Sequence, residues 1–240
     1  MKVYAITDIG KARPINEDSF YLPKETEPFC AVADGMGGHN AGEVASAMAI
    51  QAFAEAMRRS GKRTATAIHD AVLRANAAVY QEASRDSSKR GMGTTFTALV
   101  ADGRRVHIAH VGDSRAYLMR SGAISRVTKD HTLVDEMVSQ GLFTEREARV
   151  HPRRNLVTRA LGTSESVEVD LIQLDVRPGE VILICSDGLS NYVPEHDLLR
   201  VTTGEGEWQE KLRELVGIAL NAGGSDNITA MLATFEEESR

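Results

Sequence analysis

Residues 181–189 read VILICSDGL. Val181 to Cys185 form an apolar run with the length and β-branched content of a buried strand. The run then stops at Asp187-Gly188, so a core strand leads straight into a carboxylate. The arrangement recurs. FCAVADG (29–35) ends in Asp34-Gly35, and VHIAHVGDS (106–114) ends in Gly112-Asp113. GGSDNITAMLATF (223–235) reverses the order and places Asp226 just before an apolar run.

The rest of the chain supplies elements for these strands to pack against. Ala45, Met48, Ala49, Ala52, Phe53 and Ala56 make one stripe at helical spacing, and Ile68, Ala71, Val72, Ala75, Ala78 and Val79 a second. Trp208, Leu212, Leu215, Val216 and Ala219 make a third. GTTFTALVADGRRVHIAHVG (93–112) reads as a hairpin turning at Asp102-Gly103, and SRAYLMRSGAIS (114–125) turns near Ser121-Gly122. Two antiparallel sheets packed face to face, with helices outside each, bury all these faces. The expected fold is therefore α+β, a sandwich of two antiparallel β-sheets flanked by helices on both sides (α-β-β-α layers). It forms one domain over residues 1–240, since no linker, low-complexity tract or repeat divides the chain. The polar segment 129–155 carries a short helical pattern at Leu133 and Met137 and ends near HPRRN. It is expected to be a flap subdomain on the surface.

Composition narrows the function. Lys+Arg 28 against Asp+Glu 34 gives a net charge of −6, which argues against general nucleic-acid binding. No run approaches the roughly 18 apolar residues of a membrane span, and the N-terminus reaches Asp8 before a signal-like stretch forms. Cys30 and Cys185 both lie inside apolar runs, as small core residues rather than a disulfide or zinc site. A reducing cytoplasm suits them.

A strand end offers an Asp a short stem on a rigid support, and a following Gly lets the backbone turn and expose its carbonyl. Asp34, Asp113, Asp187 and Asp226 can thus converge at one end of the sandwich. Carboxylates that close repel one another and cannot all ionise unaided. Hard divalent cations resolve this. The donors are all oxygen, with no Cys or His at metal spacing, which favours Mg²⁺ or Mn²⁺ over Zn²⁺. On this reading Asp34, Asp187 and Asp226 have no Lys or Arg partner inside the cluster. Any one Asp-Gly pair by itself reads first as a turn; four together at the edges of core strands carry the weight. In ITDIGKARPINEDSFYL (6–22), Arg13, Asn16, Glu17 and Asp18 fall between two strand-like segments. The planar fork of Arg13 suits a phosphate, although by itself it also reads as a loop residue paired with Glu17 or Asp18.

The chain resembles bacterial members of the metal-dependent serine/threonine protein phosphatases, the protein phosphatase 2C family. The matching stretches are GKARPINEDS (10–19), ADGMGGHNAGEVAS (33–46), GMGTTFTALV (91–100), HVGDSRAY (110–117), TKDHT (128–132), NLVTRALG (155–162), CSDGLS (185–190) and SDNIT (225–229), in family order. The resemblance implies roles. Asp34 bridges two tightly held Mn²⁺ or Mg²⁺ ions, the Gly35 carbonyl binds one of them, and Asp187 and Asp226 complete the other's shell. Arg13 holds the substrate phosphate, while Glu17 and Asp18 act through metal-bound water. Asp113, with Asp187, binds a third, weaker ion. The implied reaction is in-line attack by a metal-bridging hydroxide on phosphoserine or phosphothreonine, with no phosphoenzyme. The implied partners are phosphorylated proteins and an opposing Ser/Thr kinase. The chain is expected to act as a cytoplasmic monomer that binds neither nucleic acid nor membrane. Met36 stands where many eukaryotic members carry a His that serves as general acid, so that role does not transfer. His39 is a substrate-side candidate in the same loop, and His110 and His131 read as structural. Two other readings are a phosphatase devoted to one regulatory protein and a non-catalytic binding relative.

Overall fold

In a computed structural model, residues 1–24, 27–37 and 41–236 are described. The opening strand, β10 (Val181–Cys185), is buried at all five positions because both of its faces are covered. Val181, Leu183 and Cys185 enter one core, and Ile182 and Ile184 enter another. That is the two-residue alternation of a strand lying between two apolar layers. It pairs antiparallel with β11 (Ile228–Thr234) and β7 (Arg115–Arg120). With β1 (Lys2–Asp8) and β8 (Ala123–Arg126) they form a sheet of order β1-β11-β10-β7-β8.

The second sheet contains β2 (Asp18–Tyr21), β3 (Phe29–Met36), β5 (Phe96–Asp102), β6 (Arg105–Val111) and β9 (Asp170–Asp175), in the order β2-β3-β5-β6-β9. The short β4 (Gly93–Thr94) adds to the end of β3. Pairing is antiparallel throughout. Both expected hairpins form. β5 and β6 close with Asp102 opposite Arg105, and β7 and β8 join through Ser121 and Gly122, both at positive φ (52° and 75°). A tight turn whose two central residues have positive φ matches the twist of the flanking strands.

Three cores separate four layers. Cys30, Val32, Leu99, Ile108, Ile184 and Met231 lie between the sheets. The helices α1 (Ala41–Ser60) and α2 (Ala65–Arg85) cover the second sheet through Phe53, Ile68, Val72 and Phe96. On the first sheet lie α5 (Asp187–Ser190), α6 (Glu195–Thr203) and α7 (Trp208–Asn221), packed through Leu189, Leu198, Leu212 and Leu215. This is the expected α-β-β-α sandwich. Both cysteines are free and buried. The spacing arguments did not pick out β9, α5 or α6. β9 is an edge strand of alternating partial exposure, and α5 is four residues long, so neither leaves a strong periodic signal.

Within 129–155 lie α3 (Leu133–Ser139) and α4 (Glu145–Val150). Thr132 and Thr144 cap them through hydrogen bonds to Asp135 N–H and Glu147 N–H. A bridge between Thr132 and Val157 closes the base of the segment.

Antiparallel pairing decides where the acids go. β10 ends and β11 begins side by side, which brings Asp187 near Asp226. In the second sheet Asp18 stands directly opposite Asp34 in register. β6 runs out into Gly112-Asp113 at the same end, and β1 leads from Asp8, opposite Ile228, into the loop that carries Arg13.

Candidate metal centre

Asp34 occupies the middle of this end. It lies within β3 rather than at its end, because the strand continues to Met36 by pairing with β4. The Asp34 carbonyl accepts from Thr95 N–H (2.9 Å) and Thr94 Oγ1 (2.9 Å), which fixes the backbone. Burial raises its carboxyl well above the usual range, and Asp18, Asp187, Asp113 and Asp226 push it further in the same direction. Asp34 thus feels the charge of the three other strand-end acids, Asp113, Asp187 and Asp226, and also of Asp18, which stands opposite it in β2.

Its neighbours respond alike. Burial, then Asp187 and Asp226, raise Asp18 to about 7. Asp18 Oδ2 accepts from Ser186 Oγ (2.8 Å), whereas Oδ1 is buried with no partner. Burial, then Asp226, raises Asp187 to about 6, while Arg115 and a carboxyl–carboxyl hydrogen bond with Asp34 pull it down. Asn191 Nδ2 donates to Asp187 Oδ2 (3.0 Å). Burial, then Asp187 and Asp130, raise Asp113 to about 8 against the opposing charge of Arg115. Each is the response of a carboxyl removed from water beside like charges.

Glycines permit the close approach. A Cβ on Gly35 would sit 2.1 Å from Gly42 O and 2.6 Å from Glu17 O, so the start of α1 could not reach β3. A Cβ on Gly188 would sit 1.9 Å from Asn227 O, where α5 meets the Asp226 loop. Asp187 turns out to open a helix instead of ending a strand.

The expectation of a cluster without cations is corrected. Arg13 Nη2 donates to Asp226 Oδ2 (2.8 Å), and Nη1 lies 3.8 Å from Glu17 Oε2. The loop places Arg13 over Asp226 because Asn227 holds both ends of it. The 44% exposure of the Arg13 side chain leaves part of its fork open to solvent. Burial raises Glu17, against Arg13 and the Gly42 N–H. His39 lies outside the described residues.

His110 and His131 are structural, as read from the sequence. His110 Nε2 donates to Lys129 O (3.0 Å), so Nδ1 accepts from Thr97 Oγ1 (2.9 Å). Burial, with His131 adding to it, lowers its pKa to about 3. His131 Nδ1 accepts from Gly112 N–H (3.0 Å), and its own N–H donates to Gly112 O (2.8 Å), clamping the residue before Asp113. The sequence reading did not single out Ser186, which ties Asp18 to Thr229 N–H (2.9 Å), or Asn227. Their signal was present, as polar residues beside the acids in CSDG and SDN.

Among the described residues, no three His, Cys, Asp or Glu side chains gather closely enough to enclose an ion by themselves. The donor set still fits hard divalent cations. It is all carboxylate and carbonyl, it is self-repelling, and it holds a buried carboxylate oxygen without a partner. Mg²⁺ and its analogues commonly take one or two carboxylates and keep several waters.

A four-layer α-β-β-α sandwich with a carboxylate-rich centre at one end of its sheets is the class that the fold and site define. The family model of protein phosphatase 2C matches residues 12–233, and the chain belongs to that family. It is 40% identical over 234 residues to the serine/threonine protein phosphatase PstP of Mycobacterium tuberculosis, covering 97% of this chain but only 45% of that relative. It is 36% identical over 233 residues to the serine/threonine phosphatase stp of Listeria monocytogenes, covering 94% and 92% respectively. A crystal structure of the PstP catalytic domain in complex with two manganese ions superposes with a TM-score of 0.87 at 36% identity, covering 98% of each chain. Among the described residues, no helix is long and apolar enough to cross a membrane.

Proposed function

We propose that residues 1–240 form one catalytic domain that hydrolyses phosphoserine and phosphothreonine on proteins, using Mg²⁺ or Mn²⁺. The observation that carries this reading is the Asp34 carboxyl, surrounded by Asp18, Asp113, Asp187 and Asp226. The two manganese ions of the PstP catalytic domain support the choice of metal. Asp34 and the Gly35 carbonyl, with Asp187 and Asp226, would hold two ions. Asp113 with Asp187 would hold a third, and Glu17 and Asp18 would act through water. When bound, the ions supply a water that ionises at neutral pH and positive charge for the phosphoryl oxygens.

The chain's own residues do the rest. Arg13, oriented by Asp226 and Glu17, presents its open N–H groups to the phosphate and stabilises charge on the equatorial oxygens. Ser186 and Asn191 hold Asp18 and Asp187 in place. His110 is buried and stays neutral, so it offers no acid for the leaving alkoxide at neutral pH. Two free buried cysteines support action in the cytoplasm, opposite a Ser/Thr kinase. Among the described residues, the exposed large apolar side chains outside the 129–157 segment (Met1, Ile9, Leu22 and Leu171) stand singly at separate places in the chain, which supports a monomer.

Turnover of p-nitrophenyl phosphate and a phosphothreonine peptide with Mn²⁺, abolished by EDTA and restored by metal, is the expected result. Full activity in chelator refutes the metal reading. No turnover with metal by a folded protein favours the binding relative.

A further inference from the structure

Arg13 is not the only cation beside the acids. Arg115 opens β7 two residues after Asp113, and in register it stands opposite Cys185, two residues before Asp187. Its Nη1 donates to Tyr117 Oη (3.4 Å), the next residue on the same face of the strand. Asp130, whose side chain is 4% exposed, receives the rest of the guanidinium. Arg115 Nε donates to Oδ1 (3.2 Å) and Oδ2 (3.0 Å), and Nη2 donates to Oδ2 (2.7 Å). Arg126 Nη2 meets Asp130 Oδ1 as well, while Arg126 Nε donates to Thr128 O (2.8 Å). Among the described residues, Asp130 is the one carboxylate within 4.0 Å of either arginine.

The backbone fixes these charges. Val127 N–H donates to Ala116 O (2.8 Å) and Ala116 N–H to Thr128 Oγ1 (3.0 Å), which pins residues 126–130 along β7. A buried ion pair stabilises a fold little more than apolar residues of the same volume would, so its effect falls on what lies beside it. Arg115 stays charged at any working pH. It draws Asp113 and Asp187 down, whereas Asp130 pushes Asp113 up. Asp113 and Asp187 are the two acids proposed to hold the third ion. A divalent cation settling on them is repelled by the Arg115 guanidinium and attracted by the Asp130 carboxylate, and away from water both effects are strong.

We infer that Arg115 and Asp130 are positioning residues that set, with opposite signs, how tightly Asp113 and Asp187 hold the third ion. Arg115 keeps that ion loosely held and exchangeable, and Asp130 aims Arg115 and offsets part of its charge. This rests on the third-ion role proposed for Asp113. Neutralising Arg115 should tighten the weak site by about tenfold, and neutralising Asp130 should weaken it by about as much, the scale on which one close charge shifts a buried acid. The pair is buried, so salt should screen the difference only slightly.

The test titrates Mn²⁺ into metal-free wild type, Arg115→Gln, Arg115→Lys, Asp130→Asn and Asp113→Ala, and reads free Mn²⁺ by its electron paramagnetic resonance signal. Wild type should show two tight sites and one weak site, and Asp113→Ala should remove the weak one. Arg115→Gln should move the weak step to lower Mn²⁺ and Asp130→Asn to higher. Arg115→Lys, which keeps the charge without the fork, should stay near wild type. Residues that only held the fold together would move all three variants the same way. A weak site unchanged in Arg115→Gln, or weakened alike by Arg115→Gln and Asp130→Asn, overturns the tuning role and leaves the third-ion reading standing. If Asp130→Asn does not fold, Arg115→Gln against Arg115→Lys decides by itself, and equal affinities in those two overturn the tuning role. A wild type without a weak site, or a weak site that survives Asp113→Ala, overturns the third-ion reading and the tuning role with it.

Discussion

Asn227 is the side chain on which the Arg13 loop depends, and replacing it tests the site's architecture most directly. It is 3% exposed and follows Asp226 in the chain. Its Oδ1 accepts from Glu17 N–H (2.8 Å), and its Nδ2 donates to Ile9 O (2.9 Å) and Ile15 O (3.0 Å). One side chain thus holds both ends of the 9–17 loop while the backbone beside it carries Asp226. Asn227→Ala deletes three hydrogen bonds, each contributing about 0.5–1.5 kcal/mol net, and any group left dry costs about 1–3 kcal/mol. Ile9 is 40% exposed, so water can replace part of the loss. The expected destabilisation is about 3 kcal/mol, which for a domain of this size is roughly 6–12 °C in Tm. Urea denaturation in chelator measures it without a contribution from metal. The kinetics should change as well, because Arg13 loses its support over Asp226. KM for a phosphopeptide should rise, while calorimetric titration should still find tight Mn²⁺ sites. Asn227→Asp keeps the acceptor but loses both donors and adds a carboxylate beside Asp226, so Mn²⁺ should recover more of its lost stability than for Asn227→Ala. A loss below about 1 kcal/mol with KM unchanged would refute the argument.

Three further outcomes follow from the same geometry. In chelator, stability should fall as pH rises from 7 to 8.5: Asp18 and Asp113 are raised in the fold to about 7 and about 8, so the native state keeps protons the unfolded chain has already released. The opposing contribution of buried, neutral His110 is complete near its ordinary value of about 6.5, and a Tm rising across that window, or an Asp113→Asn variant that fails to flatten the fall, would count against the clustered acids. Arg13→Ala should lower kcat/KM for phosphopeptides, with part of the loss in KM, and Arg13→Lys should recover only part because it lacks the fork; unchanged kinetics would make Arg13 a partner of Asp226 alone. Asp113→Ala should leave two tight Mn²⁺ sites while kcat drops sharply, and calorimetry showing loss of a tight site, or an intact kcat, would reject the third-ion role.

The sandwich was legible in the sequence because strands buried on both faces are apolar at every position, as in VILIC, and the three long helices repeat their apolar residues over several turns. The acids were legible for the same reason, since a carboxylate against such a run stands out. Short or edge elements were not: α5 has four residues, α6 offers only one helical set (Leu198, Val201 and Thr202), and no position of the edge strand β9 is fully buried. Only the tertiary structure decided which carboxylates face each other. The register that sets Asp18 opposite Asp34 depends on which strands pair, and the approach of Asp187 to Asp226 depends on β10 lying against β11. The tertiary structure also decided the partner of Arg13. From sequence alone Arg13 could meet Glu17, Asp18 or a phosphate, whereas the fold seats it on Asp226, 213 residues away, because Asn227 holds the loop there. Periodicity records how each segment meets water and core, and that is a local property. The charge environment of a site is summed over segments distant in sequence, and only the folded chain brings them together.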